Sequence, residues 1–270
     1  MRTDHLTSQA VWKLVLAAAV VLAGSGVTAA ESNHPDFTGL WTAHREPGQG
    51  RFSGFGGPGK NLPLTAEGKR RMDEYSKLLG PERANPAAYC ADYGVPTMMQ
   101  MPGMYPLEFI QKPDQLTIIY EVENETRRIY IGDRQMPPQL REASRDGYSE
   151  GHWQGDELVV KTTNLMDAAD QAAHPFSEKA TINERFSMST DKDGTKIITY
   201  TAEINDPIYY TRPVKITQKY EPLKNGFIIP YRCPAEFWYD LLEMRRKQLH
   251  EGKPADARMS DVYKAREAKE

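Results

Sequence analysis

Residues 147–163, GYSEGHWQGDELVVKTT, read as two short strands closed by a tight turn at Gly155 and Asp156. A glycine-aspartate pair between two runs of alternating side chains is a hairpin signal, because glycine supplies the positive φ that a two-residue connection needs. In the second run Leu158, Val160 and Thr162 fall on one face and Glu157, Val159 and Lys161 on the other, so the first set points to a core. His152 and Trp153 sit beside the turn.

The same two-residue period extends in both directions from this hairpin. Strands are predicted at residues 107–111, 116–122, 126–131, 180–188, 196–204, 214–220 and 227–231, with turn residues at Pro113-Asp114, Glu123-Asn124 and 191–194. Along the penultimate strand Val214, Ile216, Gln218 and Tyr220 take the inner face. Eight or more strands at hairpin spacing, with no helix between them, imply an antiparallel meander. Such a meander closes most economically into an up-and-down β-barrel, with a two-sheet sandwich as the alternative. The expected fold is therefore mostly β, with residues 107–234 as the barrel core and an apolar interior carrying scattered hydroxyls, the make-up of a small-ligand cavity.

The flanks read differently. Arg2 and Lys13 precede an apolar run over residues 14–23, followed by small residues up to Ala30, the order of a cleavable secretory signal. That run is shorter than the ~20 residues a membrane-spanning helix needs, so residues 1–30 read as a leader and the remainder as exported, with no stable membrane anchor. Without the leader the chain loses two cations and one anion, and its formal net charge of −3 becomes −4. A mildly acidic chain without a basic block is a poor partner for nucleic acid, whose binding rests on clustered Lys and Arg. Export also removes ATP and reduced nicotinamides from consideration, and no cofactor is expected.

Residues 31–106 are expected to pack on the barrel as a short strand (DFTGLWT from Asp36) that suits the first strand or a plug of the barrel, a glycine-rich loop at 47–60, a helix and an irregular segment. Gly54, Gly59 and Lys60 fit G-x-x-x-x-G-K, but Asn61-Leu62-Pro63 follow where a phosphate loop needs Ser or Thr and a helix, so the loop reads as a rim. Thr65 caps a helix reaching about Leu79, whose face of Met72, Tyr75 and Leu79 is expected to meet the barrel. Met98, Met99, Met101 and Met104 read as core or pocket lining rather than a copper site. A second helix is predicted over 236–249, and the charged stretch 251–270 reads as a disordered tail. Cys90 and Cys233 either form one disulfide or stay as two buried thiols; neither has a C-x-x-C neighbour.

Ionisable side chains gain interest where they interrupt the strand pattern. His152 precedes the tight turn, Glu184 and Arg185 lie mid-strand in INERFSM, Asp206 ends a strand in AEINDP, and Tyr209 follows. An imidazole or carboxylate against apolar walls can be tuned for proton transfer near neutral pH, so His152 is the candidate general base, Glu184 or Asp206 a second acid, and Arg185 or Tyr209 an electrostatic stabiliser. The bland reading has Glu184, Arg185, Arg127 and Glu203 in cross-strand ion pairs or a structural network. His34, His44, His152 and His174 lack metal-ligand spacing, and no nucleophile elbow is present, so no metal is expected.

The motifs DFTGLW, PLTAEG, YPLEFIQ, RRIYIGDR, GHWQGDELVVKTT, NERF and NDPIYYTRP together resemble a family of exported bacterial proteins of undescribed function, over most of the chain after the leader. The G-x-W-x-G-D-x-L-V-V core is similar to lipocalin-like, calycin-type barrels. The resemblance implies a fold and a compartment, and no mechanism. In that pattern a histidine precedes the proline where this chain has Met136-Pro137. Two functions follow as expectations: a cofactor-independent lyase or isomerase holding a small, partly apolar molecule in a barrel pocket, or a non-catalytic periplasmic binder or carrier.

Overall fold

A computed structural model describes residues 34–45, 61–80, 91–100, 105–170, 173–230 and 236–268. The leader, the glycine-rich loop, Met101, Met104, Cys90 and Cys233 lie outside the described residues.

Over the described residues the chain forms a closed nine-stranded β-barrel with three α-helices. The strands are β1 (Gly39–Ala43), β2 (Leu107–Lys112), β3 (Gln115–Tyr120), β4 (Thr126–Ile131), β5 (Tyr148–Gln154), β6 (Glu157–Thr163), β9 (Thr181–Thr190), β10 (Lys196–Asn205) and β11 (Val214–Pro222), while β7 (Ala168–Ala169) and β8 (Pro175–Phe176) form a separate two-stranded ribbon. Around the barrel the order is β1-β11-β10-β9-β6-β5-β4-β3-β2. Strands that alternate in direction close on themselves only in even number, so a nine-stranded ring requires a parallel neighbour. That neighbour pair is β4 and β5, in register at Ile129 with Ser149, Tyr130 with Glu150 and Ile131 with Gly151. The up-and-down reading thus holds except at this one seam.

The strand expected at residues 227–231 does not form over the described residues 227–230. There Phe227 and Ile229 are 80% and 63% exposed. The reason is topological: β1 pairs with both β11 and β2 and takes up both open edges, leaving no ladder for a further strand.

Alternation places the inner face as the hairpin reading expects. Leu158, Val160 and Thr162 are buried, as are Val214, Ile216 and Tyr220, and Gln218 is half-buried. The interior is packed rather than hollow along much of its length: Phe37, Phe109, Phe186 and Tyr220 lie ring to ring at centroid separations of 6.0–6.4 Å. Met98 and Met99 belong to this core, and Tyr220 donates to the Met99 carbonyl at 2.5 Å.

The helices build a second core. Helix α1 (Ala66–Leu78) starts at Thr65, whose Oγ1 accepts the Gly68 N–H at 2.9 Å. Its buried Tyr75 and Leu78 pack with Leu79 against Trp238 and Leu241 of α2 (Glu236–His250) instead of the barrel. The expected disordered tail instead carries α3 (Met259–Glu267), with Val262 buried. Its anchor is Arg245, fully buried on α2, which donates to the carbonyls of Leu78 and Leu79 at the end of α1 and of Ala257 just before α3. A buried guanidinium must find acceptors, and the last carbonyls of a helix supply them. Composition alone missed this tie. No helix among the described residues is long and apolar enough to cross a membrane.

Candidate functional site

Inside the barrel, Arg127 of β4 and Glu184 of β9 form a two-pronged ion pair. Glu184 Oε1 also accepts from the Tyr200 hydroxyl at 2.8 Å and Oε2 from Thr162 at 2.8 Å. Arg127 donates further to Ser149 and Thr162. Burial works against the Arg127 charge, but the neighbouring Glu184 carboxylate more than offsets this and raises its pKa. Every oxygen of Glu184 is committed, so it serves as a structural counter-ion and has no lone pair left over for a substrate proton.

Beyond this knot, at one end of the barrel, lies a group of acids of which Glu125 is buried and Asp92, Glu123 and Asp146 are half-buried. The β3–β4 turn holds Glu123 and Asn124 at φ of 61° and 53°, left-handed conformations that non-glycine residues rarely adopt. This turn brings Glu123 and Glu125 near Asp92 and Asp146. One carboxylate oxygen from each of Asp92, Glu125 and Asp146 lies within 4.8 Å of the others. Glu125 Oε1 accepts the Gly94 N–H at 3.0 Å. Gly94 has φ of 68°, and a Cβ there would lie 2.5 Å from the Arg145 carbonyl, so only glycine fits. The Arg145 guanidinium stands 3.6 Å from Asp92.

Burial raises each of these acids. The Glu125 carboxyl is driven well above the usual range, first by desolvation and then by the Asp146 charge. Desolvation lifts Asp146 to about 6, against the opposing pull of Arg127 and of a hydrogen bond from Glu125. Desolvation and the Asp92 charge lift Glu123 to about 8. Glu125 Oε2 and Asp146 Oδ1 find no donor among the described residues, and Glu125, the more strongly raised of the two carboxyls, is the one placed to donate a proton to Asp146. Asp92, Glu125 and Asp146 are close enough together for a hard cation. Arg145 provides positive charge against Asp92, and the raised carboxyls let the group hold protons.

Asp146 connects this group to a cavity of about 300 Å³ at the β4–β5 seam. The parallel pairing begins only at Ile129 and Ser149, so the starts of the two strands splay apart, and the segment between them covers the gap. Arg127, Arg128, Met136, Arg141, Asp146 and Tyr148 are among its lining residues. Gly147, with φ of 62°, allows the chain to pass tightly between Asp146 and β6, since a Cβ there would lie 2.3 Å from the Thr163 carbonyl. Other cavities lie between α1 and α2, at about 500 Å³, and on the outer wall of β9–β11, at about 590 Å³. Their charged residues are largely tied up in surface ion pairs such as Arg70–Glu67, Arg185–Glu157 and Lys215–Glu203.

The five residues singled out from sequence do not come together. His152 is exposed, its ring nitrogen 3.2 Å from the Gln154 amide. Its strand position is outward because Gly151 takes the inward one. Arg185 is exposed and paired with Glu157. Asp206 is buried but fully used as a cap, accepting from Ser177 N–H and Oγ and from the backbone of Ile208 and Tyr209. Tyr209 donates to Asp167 at 2.6 Å, and desolvation followed by that bond pushes its phenol up to about 12. Only Glu184 points into the barrel. The barrel interior expected to form a ligand cavity is filled by side chains, and the cavity beside the acids lies in the wall.

Asp92, Glu123, Glu125, Arg145 and Asp146 went unmarked in the sequence reading. For Glu125 a signal existed: extending the alternation of Ile131 and Ile129 backwards puts Arg127 and Glu125 on the same inner face. Comparison with protein-family models finds none that matches this chain, and comparison with curated proteins finds no match.

Proposed function

We propose that this chain is an exported barrel protein that binds a small, partly apolar organic molecule in the β4–β5 cavity and moves a proton on it without a cofactor, as a lyase or isomerase does. The observation that carries this reading is Asp146: a carboxyl poised at about 6, on the cavity wall, backed by the buried Glu125. A carboxyl tuned close to neutrality exchanges protons in both directions, which is what general acid–base catalysis asks of it. In the proposed step Asp146 takes a proton from the bound molecule and returns it at a second atom or to a leaving group, while Glu125 steadies the charge through their hydrogen bond. Export rests on the leader pattern of residues 1–30, and kinship with the exported bacterial family on the motifs quoted above.

A non-catalytic binder using the same cavity is the second reading, favoured by the scatter of His152, Arg185, Asp206 and Tyr209 over separate surfaces. One experiment separates the two. Mass spectrometry identifies the small molecule that co-purifies with the protein, and that compound is then incubated with wild type and with Asp146→Asn. Catalysis predicts conversion by wild type and loss of at least about 100-fold in the variant with binding kept. A compound returned unchanged by wild type overturns the enzyme reading.

A further inference from the structure

We infer that the ligand of the β4–β5 cavity is a small organic carboxylate, its anionic group held by Arg128 and Arg141 and its apolar part laid against Met136 and Leu140. This rests on the reading that the cavity binds a ligand, and it narrows the ligand to one chemical class.

Arg70, Arg127, Arg134 and Arg185 each stand within 4 Å of a carboxylate. Arg128 and Arg141, both on the cavity wall, have no such partner among the described residues. Arg141 is nevertheless held in place: its guanidinium lies 4.1 Å over the Tyr148 ring, and its Nε donates to the Met136 carbonyl at 2.8 Å. Among the described residues its outer edge meets only the Gln135 side chain, at 3.5 Å. An oriented guanidinium edge with no carboxylate of its own is a receptor for a planar anion. The presence of Glu142 and Asp146 on the same wall disfavours a doubly charged phosphate, and Met136 and Leu140 offer apolar surface beside the cations. A volume of about 300 Å³ is at the small end of the ligand-pocket range of ~300–1,000 Å³ and fits a single small ring with its acid group.

The test titrates the full chain with benzoate, benzamide and phenyl phosphate, following backbone amide signals of Arg128, Tyr148 and Ser149 by NMR. Benzoate is expected to bind at least tenfold more tightly than the other two, and Arg128→Gln and Arg141→Gln are each expected to weaken benzoate about tenfold while leaving benzamide unchanged. Equal shifts from benzoate and benzamide, or tighter binding of phenyl phosphate, would overturn the carboxylate class while leaving the cavity as a binding site. If no probe moves these amides while the wild-type spectrum shows a folded chain, the cavity reading falls with it. Arg128 is exposed, so its variant is expected to fold, and it keeps the test decisive if Arg141→Gln perturbs the loop.

Discussion

The Arg127 guanidinium and the Glu184 carboxylate meet inside the barrel with 1% and 0% of their side-chain surfaces exposed, Nη1 to Oε1 at 2.9 Å. Breaking one partner of a buried pair strands the other charge in a low-dielectric interior, at a cost of roughly 3–5 kcal/mol. Replacing both by apolar residues removes both desolvation penalties together. Glu184→Gln and Arg127→Met should therefore each lose stability in this range by urea denaturation, while Arg127→Met/Glu184→Leu should recover much of it. Single losses under about 1 kcal/mol would show that the pair is not the structural centre of the barrel.

The barrel was legible because its cause is local. A two-residue period repeats in strand after strand, and each turn carries its own chemistry, so Leu158, Val160 and Thr162 could be placed inward without any partner in view. The parallel seam was not legible, because it follows from counting strands around a closed ring and the ninth member, β1, comes from the opposite end of the chain. The site was hidden for a related reason. Asp92, Glu125 and Asp146 are separated in sequence and meet only when β4, β5 and the segment before β2 converge, whereas His152 drew attention by standing next to a regular hairpin.

His152 gives a direct check on that last point. It is exposed on β5 and bonds only a neighbouring side chain on its own strand. His152→Ala should change stability by less than about 0.5 kcal/mol and leave ligand affinity untouched, as surface substitutions away from special features do. Calorimetry and the benzoate titration read both. A tenfold loss of affinity would return His152 to the site.

The second core makes its own prediction. Arg245 donates to Ala257 through both Nε and Nη2, and Val262 packs against α2. A chain ending at Gly252 loses these acceptors and leaves a charged side chain short of partners in the interior. It should be destabilised by at least about 2 kcal/mol in thermal unfolding. An unchanged midpoint would mean that the last turns contribute nothing, as the charge composition first implied.

The acid group at the barrel end sets the pH dependence of stability. Asp146, Glu125 and Glu123 all have folded pKa values raised by desolvation, so between their unfolded and folded values the native state binds more protons than the unfolded chain. Stability therefore falls as pH rises, the opposite of the usual salt-bridged carboxylate. For Asp146 the loss runs from about 4 to about 6, and Glu123 extends the decline to about 8. The Asp146 share is on the order of 2–3 kcal/mol at full loss. Asparagine at this position has no proton to lose, so the stability of wild type relative to Asp146→Asn should drop by this amount between about pH 4 and pH 7, measured by urea denaturation at each pH. A difference that stays flat, or that grows in favour of wild type as pH rises, would mean that Asp146 is ionised in the folded chain across this range. The cavity would then face a fixed negative charge in place of an exchangeable proton.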